Sequence, residues 1–358
     1  MRTKHKGLSF ATGLACVAAL GMVLTGCTSP GSAATTDTNS ADTQQQVKTS
    51  DGPQCTLADY GAQKLDLKDA VVGFSQSDKE ENPFRIAETQ SITEEAAKIG
   101  VKKFIKTNSQ GTLTKQISDI QDMISQGAQV LIVAPLNSDG LEPALAQARA
   151  KNIPVLTIDR KINATACKDY VSFLGSDFVE QGKRSADQLI AGTDGKATVA
   201  ILLGLSGNGV TTDRTKGFLD EIAAKAPGIK VVAQQTADFA RDKGQSVTEQ
   251  LLQAHPDITA IYAENDEMGL GAQAAIIAAG KAPGKDIQIY SIDGTKNAVQ
   301  QMVAGAYNGV IESNPRFGPL AFKTLQAFLS GEPVGQDIII EDKAYDPANA
   351  AENVNLAY

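Results

Sequence analysis

The chain has 358 residues, 42% of them hydrophobic and 21% charged. That is an ordinary globular composition, with length for about two domains of roughly 150 residues each. A formal charge of −8 argues against a nucleic-acid partner, because phosphate binding requires a basic surface that displaces counterions.

Arg2, Lys4 and Lys6 make a cationic start, followed by an apolar run from Leu8 to Leu24 and then Leu24-Thr25-Gly26-Cys27. This is the pattern of an export signal. Small residues ahead of a cysteine resemble the bacterial lipoprotein box, in which Cys27 becomes the lipidated first residue of the mature chain. A short uncleaved anchor is the alternative, and both readings put the folded part outside the cytoplasm. Residues 28–66, dominated by Ser, Thr, Ala, Gly, Asp and Gln up to about Ser50, read as a disordered tether. With Cys16 in the signal and Cys27 at the lipid site, Cys55 and Cys167 remain. They are either joined in a disulfide, which an exported protein can form, or left as two unpaired thiols. No cysteine or histidine cluster has metal-ligand spacing, so no metal site is expected.

From Ala70 onward, Val- and Ile-rich runs alternate with amphipathic stretches of helical length. Strands are predicted at 70–74, 101–105, 130–134, 154–158 and 171–174, then at 197–203, 229–234, 258–263, 287–292 and 309–312. Helices are predicted between most of them, at 86–99, 112–126, 178–191, 214–224, 242–253 and 267–279. Such alternation implies α/β architecture with parallel sheets covered on both faces. So many strands divide better into two sheets than one. The expectation is two doubly wound three-layer lobes joined by a hinge, the first from 67–174 plus 315–338 and the second from 175–314 plus 339–358.

Ligands of such folds gather past the carboxyl ends of the strands. Those positions hold Asn82, Phe84 and Arg85; Asp159 and Arg160; Asp213 and Arg214; Asp238 and Phe239; Asn265 and Asp266; Asp293; and Glu312-Ser313-Asn314. Carboxylates, guanidiniums and amides can exchange paired hydrogen bonds with sugar hydroxyls, while aromatic rings take the C–H faces.

Blander assignments compete at several positions. Asp293-Gly294-Thr295 also reads as a turn and helix cap, Phe239 as a core residue, Arg241 as a solvated helix-start charge, and Asp59, Asp66 and Asp69 as surface charges. Gly269-Leu270-Gly271-Ala272-Gln273-Ala274 imitates a dinucleotide fingerprint but falls inside a helical stretch, and Gly204-Leu205-Ser206-Gly207 falls short of a nucleophile elbow. His5 belongs to the signal and His255 to a helix end, so no histidine general base is expected. No enzyme activity and no cofactor are expected.

Asn82-Pro83-Phe84, Ile158-Asp159-Arg160, Asp213-Arg214-Thr215-Lys216-Gly217-Phe218, Ala237-Asp238-Phe239, Asn265-Asp266-Glu267-Met268 and Asp293-Gly294-Thr295 occur in the order and spacing of a known family. From about Val71 to Lys343 the chain resembles periplasmic sugar-binding proteins of the ribose-binding type, which share their core with lactose-repressor-type regulators. The resemblance implies a periplasmic binding protein type I fold. It also implies that Asn82, Asp159, Arg160, Arg214, Asn265 and Asp293 hydrogen-bond a monosaccharide whose ring lies between Phe84 and Phe239. Where ribose binders carry a glutamine, this chain has Glu312-Ser313-Asn314, which leaves open which of the three makes the contact, Ser313 being the candidate named. Where they carry a further phenylalanine it has Arg85. Phe84-Arg85, Ala87-Glu88 and the closing Ala357-Tyr358 look more like the galactofuranose- and fructose-binding branch, which makes Arg85 and Glu88 candidates for selectivity.

The implied role is an extracytoplasmic, lipid-anchored monomer that captures a sugar by hinge closure and delivers it to the permease subunits of an ABC importer. The alternative is a sensing module that presents its sugar-bound form to a membrane receptor or chemoreceptor.

Overall fold

The computed structural model describes residues 45–358. The export signal, Cys27 and the first part of the expected tether lie outside the described residues. In chain order the strands are β1 (Val47–Cys55), β2 (Val71–Gln76), β3 (Lys103–Asn108), β4 (Val130–Val133), β5 (Val155–Ile158), β6 (Ser172–Gly175) and β7 (Thr198–Leu203). They continue with β8 (Lys230–Thr236), β9 (Ala260–Ala263), β10 (Gln288–Asp293), β11 (Gly309–Glu312), β12 (Val334–Ile340) and β13 (Ala344–Tyr345). The longer helices are α1 (Pro83–Ile99), α2 (Leu113–Ser125), α3 (Glu142–Ala150), α4 (Phe178–Gly192) and α5 (Gly209–Lys225). They are followed by α6 (Arg241–Ala254), α7 (Asp266–Ala278), α8 (Lys296–Val303) and α9 (Gly318–Ser330).

The strands form two sheets, ordered β1-β12-β6-β5-β4-β2-β3 and β13-β11-β10-β9-β7-β8. Five strands of each run parallel in the same pattern: β3-β2-β4-β5-β6 in the first lobe corresponds to β8-β7-β9-β10-β11 in the second. In both, the order reverses beside the first strand, and this opens a crevice at the carboxyl ends. Apolar residues cover both faces of each sheet. Leu156, Ile158 and Phe322 belong to one core of the first lobe, and Ile120, Leu131 and Val155 to the opposite one. In the second lobe, Ala200, Ile261 and Ile289 face one core while Val199, Ile201 and Tyr262 face the other. Period-2 alternation of wholly apolar strands thus fills two layers at once. This is the periplasmic binding protein type I architecture.

The chain passes between the sheets after β6, after β11 and after β12. Residues 176–177, 313–317 and 341–343 therefore connect the lobes.

The expected tether to residue 66 needs correction. Val47–Cys55 is a strand, β1, paired antiparallel with β12 at the margin of the first sheet, and Leu57–Tyr60 is one turn of helix capped by Thr56. Most of β1 is exposed, so its own side chains supply little hydrophobic drive. What orders it is the backbone ladder to Ile338–Ile340 and a disulfide from Cys55 to Cys167. The ladder slips between Asp51 and Gln54, where Gly52 has φ +82° and Pro53 has no N–H to donate. Beyond it, Tyr60 and Leu67 enter the core of the first lobe.

The disulfide spans 112 residues of sequence. Closing so long a loop in the unfolded chain restricts it strongly, so Cys55→Ser with Cys167→Ser should lower stability by about 3–5 kcal/mol in chemical denaturation. A midpoint unchanged by the double substitution would show that β1 is held by its ladder alone.

Candidate functional site

Each lobe places an aspartate at the end of its fourth parallel strand and pairs it with an arginine from the helix that follows its first. In the first lobe Asp159, just past β5, is 2.7 Å from Arg85 of α1. In the second lobe Asp293, ending β10, is 3.6 Å from Arg214 of α5. Both aspartates hold positive φ, 64° and 137°, a conformation that costs energy for a residue with a side chain and recurs where a side chain must be aimed. The four side chains are buried, and they face one cavity of ≈ 530 Å³ between the lobes.

The first lobe contributes a dense charge network. Arg85 also contacts Glu88 at 2.7 Å and Asp78 at 3.3 Å, and Arg160 contacts Asp78 at 3.0 Å. Arg160 further donates to the carbonyls of Pro135 and Leu136, at 3.2 and 3.1 Å. Burial works against these charges, but Asp159, Glu88 and Asp78 together hold Arg85 firmly protonated. Asp78 likewise lies below the usual carboxylate range, because Arg160 and Arg85 outweigh its burial. Asn82 caps α1 by accepting from the Phe84 N–H at 2.9 Å, which sets Phe84 and Arg85 on the first turn. The Arg85 guanidinium lies 4.8 Å from the Phe84 ring centroid.

In the second lobe Asn265 caps α7 and donates from Nδ2 to the Phe239 carbonyl at 3.2 Å. Asp238 and Phe239 both have positive φ, so this tight turn lifts the aromatic ring against the backbone of Gly204. A Cβ at residue 204 would lie 2.0 Å from the ring. The first glycine of the incomplete nucleophile elbow is the one that admits Phe239. Burial raises the Asp293 carboxyl well above the usual range against the pull of Arg214. Asp266, out of the cavity, accepts from the Ser291 hydroxyl and from the Thr295 N–H and hydroxyl, at 2.5–2.8 Å. Thr295 caps α8. Asp293-Gly294-Thr295 is therefore both a cap and a site turn.

Asn82, Phe84, Arg85, Asp159, Arg160, Arg214, Phe239, Asn265 and Asp293 all line the cavity. Glu88 and Ser313 do not. Glu88 lies wholly buried behind Arg85, accepting from Arg85 and, at 2.8 Å, from Gln76. Ser313 is buried in a lobe connection, where its N–H donates to the Asp293 carbonyl at 2.8 Å. A helix places residues three apart on one face but at different depths, and that is why Glu88 supports the arginine without reaching the opening. Arg241, expected as a solvated charge, lines the cavity and pairs twice with Glu267, at 2.9 and 2.8 Å. The dinucleotide-like glycines lie within α7, where a Cβ at Gly271 would be 2.1 Å from the Arg241 carbonyl. They serve helix contact.

Two further residues join the site, and of these Asn208 carries no sequence signal beyond its type. Asn208 caps α5 and also donates across the cleft to the Leu136 carbonyl at 3.1 Å. Tyr358 packs edge-on against Phe84, with centroids 6.1 Å apart. Its buried hydroxyl has no hydrogen-bond partner among the described residues. No cluster of potential metal ligands occurs among the described residues.

Two facing lobes, each ending its strands in a guanidinium–carboxylate pair and one aromatic ring, define a binding protein that encloses a small polar molecule. Residues 72–333 match the periplasmic binding protein domain family, and the chain belongs to it. It is 34% identical to the galactofuranose-binding protein YtfQ of Escherichia coli over 80% of this chain and 92% of that one. To the ribose import binding protein RbsB of Bacillus subtilis it is 37% identical over 76% of this chain and 85% of that one. Among solved structures, it superposes with TM-score 0.76 on the arabinose ABC transporter binding protein of Shewanella sp. ANA-3, bound to α- and β-L-arabinofuranose. That pair is 33% identical over 80% of this chain and 94% of that one. The chain is a binding protein of this family, not an enzyme.

Burial also moves Glu264 and Asp342 up to about 7. Each therefore holds a proton in the fold that it lacks when unfolded, between the ordinary carboxylate range and about pH 7, so its stabilising contribution is complete at low pH and lost as pH rises through that window. Asp78 has the opposite sign and loses its contribution only below that window. Thermal midpoints of the sugar-free protein should fall from pH 5 to pH 8, and Glu264→Gln should flatten the decline. Midpoints rising over that range would contradict burial as the governing influence.

Proposed function

We propose that this chain is the lipid-anchored, extracytoplasmic capture component of an ABC importer and that its ligand is a monosaccharide of the galactofuranose, fructose or ribose kind, held in furanose form. The observation that carries this reading is the balance of charge in the cavity. Arg85 and Arg160 are matched by Asp78 and Asp159, and Arg214 faces Asp293; the lining as a whole holds six Lys or Arg and seven Asp or Glu, so no large excess of either sign is left to select a charged ligand. What remains is a set of oriented donors and acceptors with Phe84 and Phe239 among them, suited to a neutral ring with hydroxyls on its edge and C–H bonds on its faces. Names of relatives support the furanose form, and Arg85, buttressed by Glu88, is the proposed selectivity element.

Capture proceeds by lobe closure. The sugar bonds to Asp159 and Arg160 on one lobe and to Arg214, Asn265 and Asp293 on the other. Its differential affinity for the closed state shifts the population. One chain supplies the whole site, and we propose that it works as a monomer. The permease subunits then recognise the closed pair of lobes, and lipidation at Cys27 keeps the protein at the membrane.

Calorimetric and thermal-shift screening of D-fructose, D-ribose, L-arabinose and D-galactose should find at least one that raises the melting midpoint. Asp159→Ala or Arg160→Ala should then weaken that sugar by about 2–3 kcal/mol, because each leaves buried partners unpaired. Failure of every monosaccharide to stabilise the wild-type protein would refute the reading.

Asn208 offers a kinetic test of closure. Asn208→Asp keeps the oxygen that caps α5 but replaces the amide that donates to Leu136 with a carboxylate oxygen, so the bond across the cleft is lost and two acceptors face each other there. Stopped-flow measurements should show faster sugar release, by roughly tenfold for one buried hydrogen bond, with little change in the association rate. Equal changes in both rates would mean that the bond is not specific to the closed state.

A further inference from the structure

Gln181, on the first turn of α4, is buried where the lobe connections meet. Its Nε2 donates to the Asp342 Oδ2 at 2.8 Å and to the Glu312 carbonyl at 3.3 Å. Its Oε1 accepts from Arg214 Nε at 3.0 Å. Asp342 lies in the connection after β12, Glu312 ends β11 where the second connection begins, and α4 opens directly after the first. The Ser176 hydroxyl, within that first connection, donates to the other Asp342 oxygen at 3.1 Å. One amide therefore touches two of the three connections and the cavity arginine, and Asp342 links it to Ser176 of the remaining one.

Its orientation is fixed by chemistry. An arginine can only donate and a carbonyl can only accept, so flipping the amide would oppose like groups at Arg214 and at Glu312 together. The backbone allows no slack. A Cβ at Gly182 would lie 2.2 Å from the Arg214 carbonyl, and one at Gly217 would lie 2.0 Å from the Val179 carbonyl, so α4 and α5 touch main chain to main chain at this point. Arg214 is held further by its bond to the Glu264 carbonyl at 2.5 Å. Nε and NH1 are thereby committed to the protein, and NH2, 3.6 Å from Asp293, is left toward the cavity.

We infer that Gln181 is a positioning residue that ties the aim of Arg214 to the geometry of the hinge, so that Arg214 presents its free edge to the sugar only when the three connections are in their closed arrangement. The inference rests on the monosaccharide reading for its ligand. Its mechanical half does not.

The probes are D-fructose, D-ribose, L-arabinose and D-galactose, with small-angle scattering of the same samples. Gln181→Met keeps length and burial but removes every hydrogen bond. It should weaken whichever of these sugars binds the wild type by about tenfold to a hundredfold, and should increase the radius of gyration of the sugar-free protein. If Gln181 acts through Arg214, the same substitution should cost little in an Arg214→Met background, whereas a merely structural role would cost as much in both. At pH 8, above the range in which Asp342 keeps its proton, Gln181→Glu should be as damaging as Gln181→Met, because it sets a carboxylate against Asp342 and the Glu312 carbonyl. Adding Asp342→Asn restores a donor and should recover affinity. Equal loss in both Arg214 backgrounds, or no recovery by the second substitution, overturns the inference. Should none of the four sugars bind the wild-type protein, the functional reading fails but scattering still decides: an unchanged radius in Gln181→Met rejects the coupling and an increased one supports it.

Discussion

The structure depends on keeping ionised groups buried at the tips of its strands. An arginine or aspartate removed from water is costly unless matched closely in charge and hydrogen bonding, and here each lobe solves that problem in the same way. The fourth strand ends in an aspartate of positive φ, and the helix after the first strand supplies the arginine. Because the two lobes share strand order, the solution is made twice, and the two copies face each other. The cavity between them is polar yet nearly balanced in charge. A neutral polyhydroxylated ligand can insert into such a network by exchanging hydrogen bonds without leaving a charge unpaired.

Rigid support surrounds these pairs. Arg85 is backed by Glu88, which Gln76 holds in turn, and Arg214 is gripped by Gln181 and the Glu264 carbonyl. Glycines bring α4 against α5 closely enough that Gln181 and Arg214 meet at all. The chain crosses between the lobes at 176–177, 313–317 and 341–343. Buried Asp342 and Glu312 stand at these connections with carboxyls raised by burial, so each depends on the hydrogen bonds it receives there.

Much of the fold was legible in the sequence. The ten predicted strands fall where continuous Val- and Ile-rich runs leave little alternative, and the two-sheet division follows from their number. β1, β12 and β13 were not foreseen. Val47–Cys55 has a polar, exposed sequence, and its strand exists because β12 offers a free edge and Cys167 a covalent partner. Val334–Ile340 mixes buried and half-buried positions, so that its membership of the first sheet depends on the route of the chain after α9. In the site, Phe84, Asp159, Arg214 and Asp293 could be found because strand-end position and residue type agree. Glu88 and Ser313 lie buried one layer behind the cavity lining, since sequence spacing gives direction from a helix or strand but not depth.

The sequence by itself determined the alternation of strands and helices, and with it the doubly wound class, and it determined which polar residues stand past the strand ends. These are local consequences of hydrophobic period and turn chemistry. Only the tertiary structure decided that the two sets of strand ends oppose each other across one cavity, that Asn208 reaches Leu136, and that Gln181 joins three distant connections to Arg214. Those contacts link residues about 30 to 160 positions apart. They arise from the packing of one lobe on the other and of one helix on the next, for which no periodicity along the chain leaves a trace.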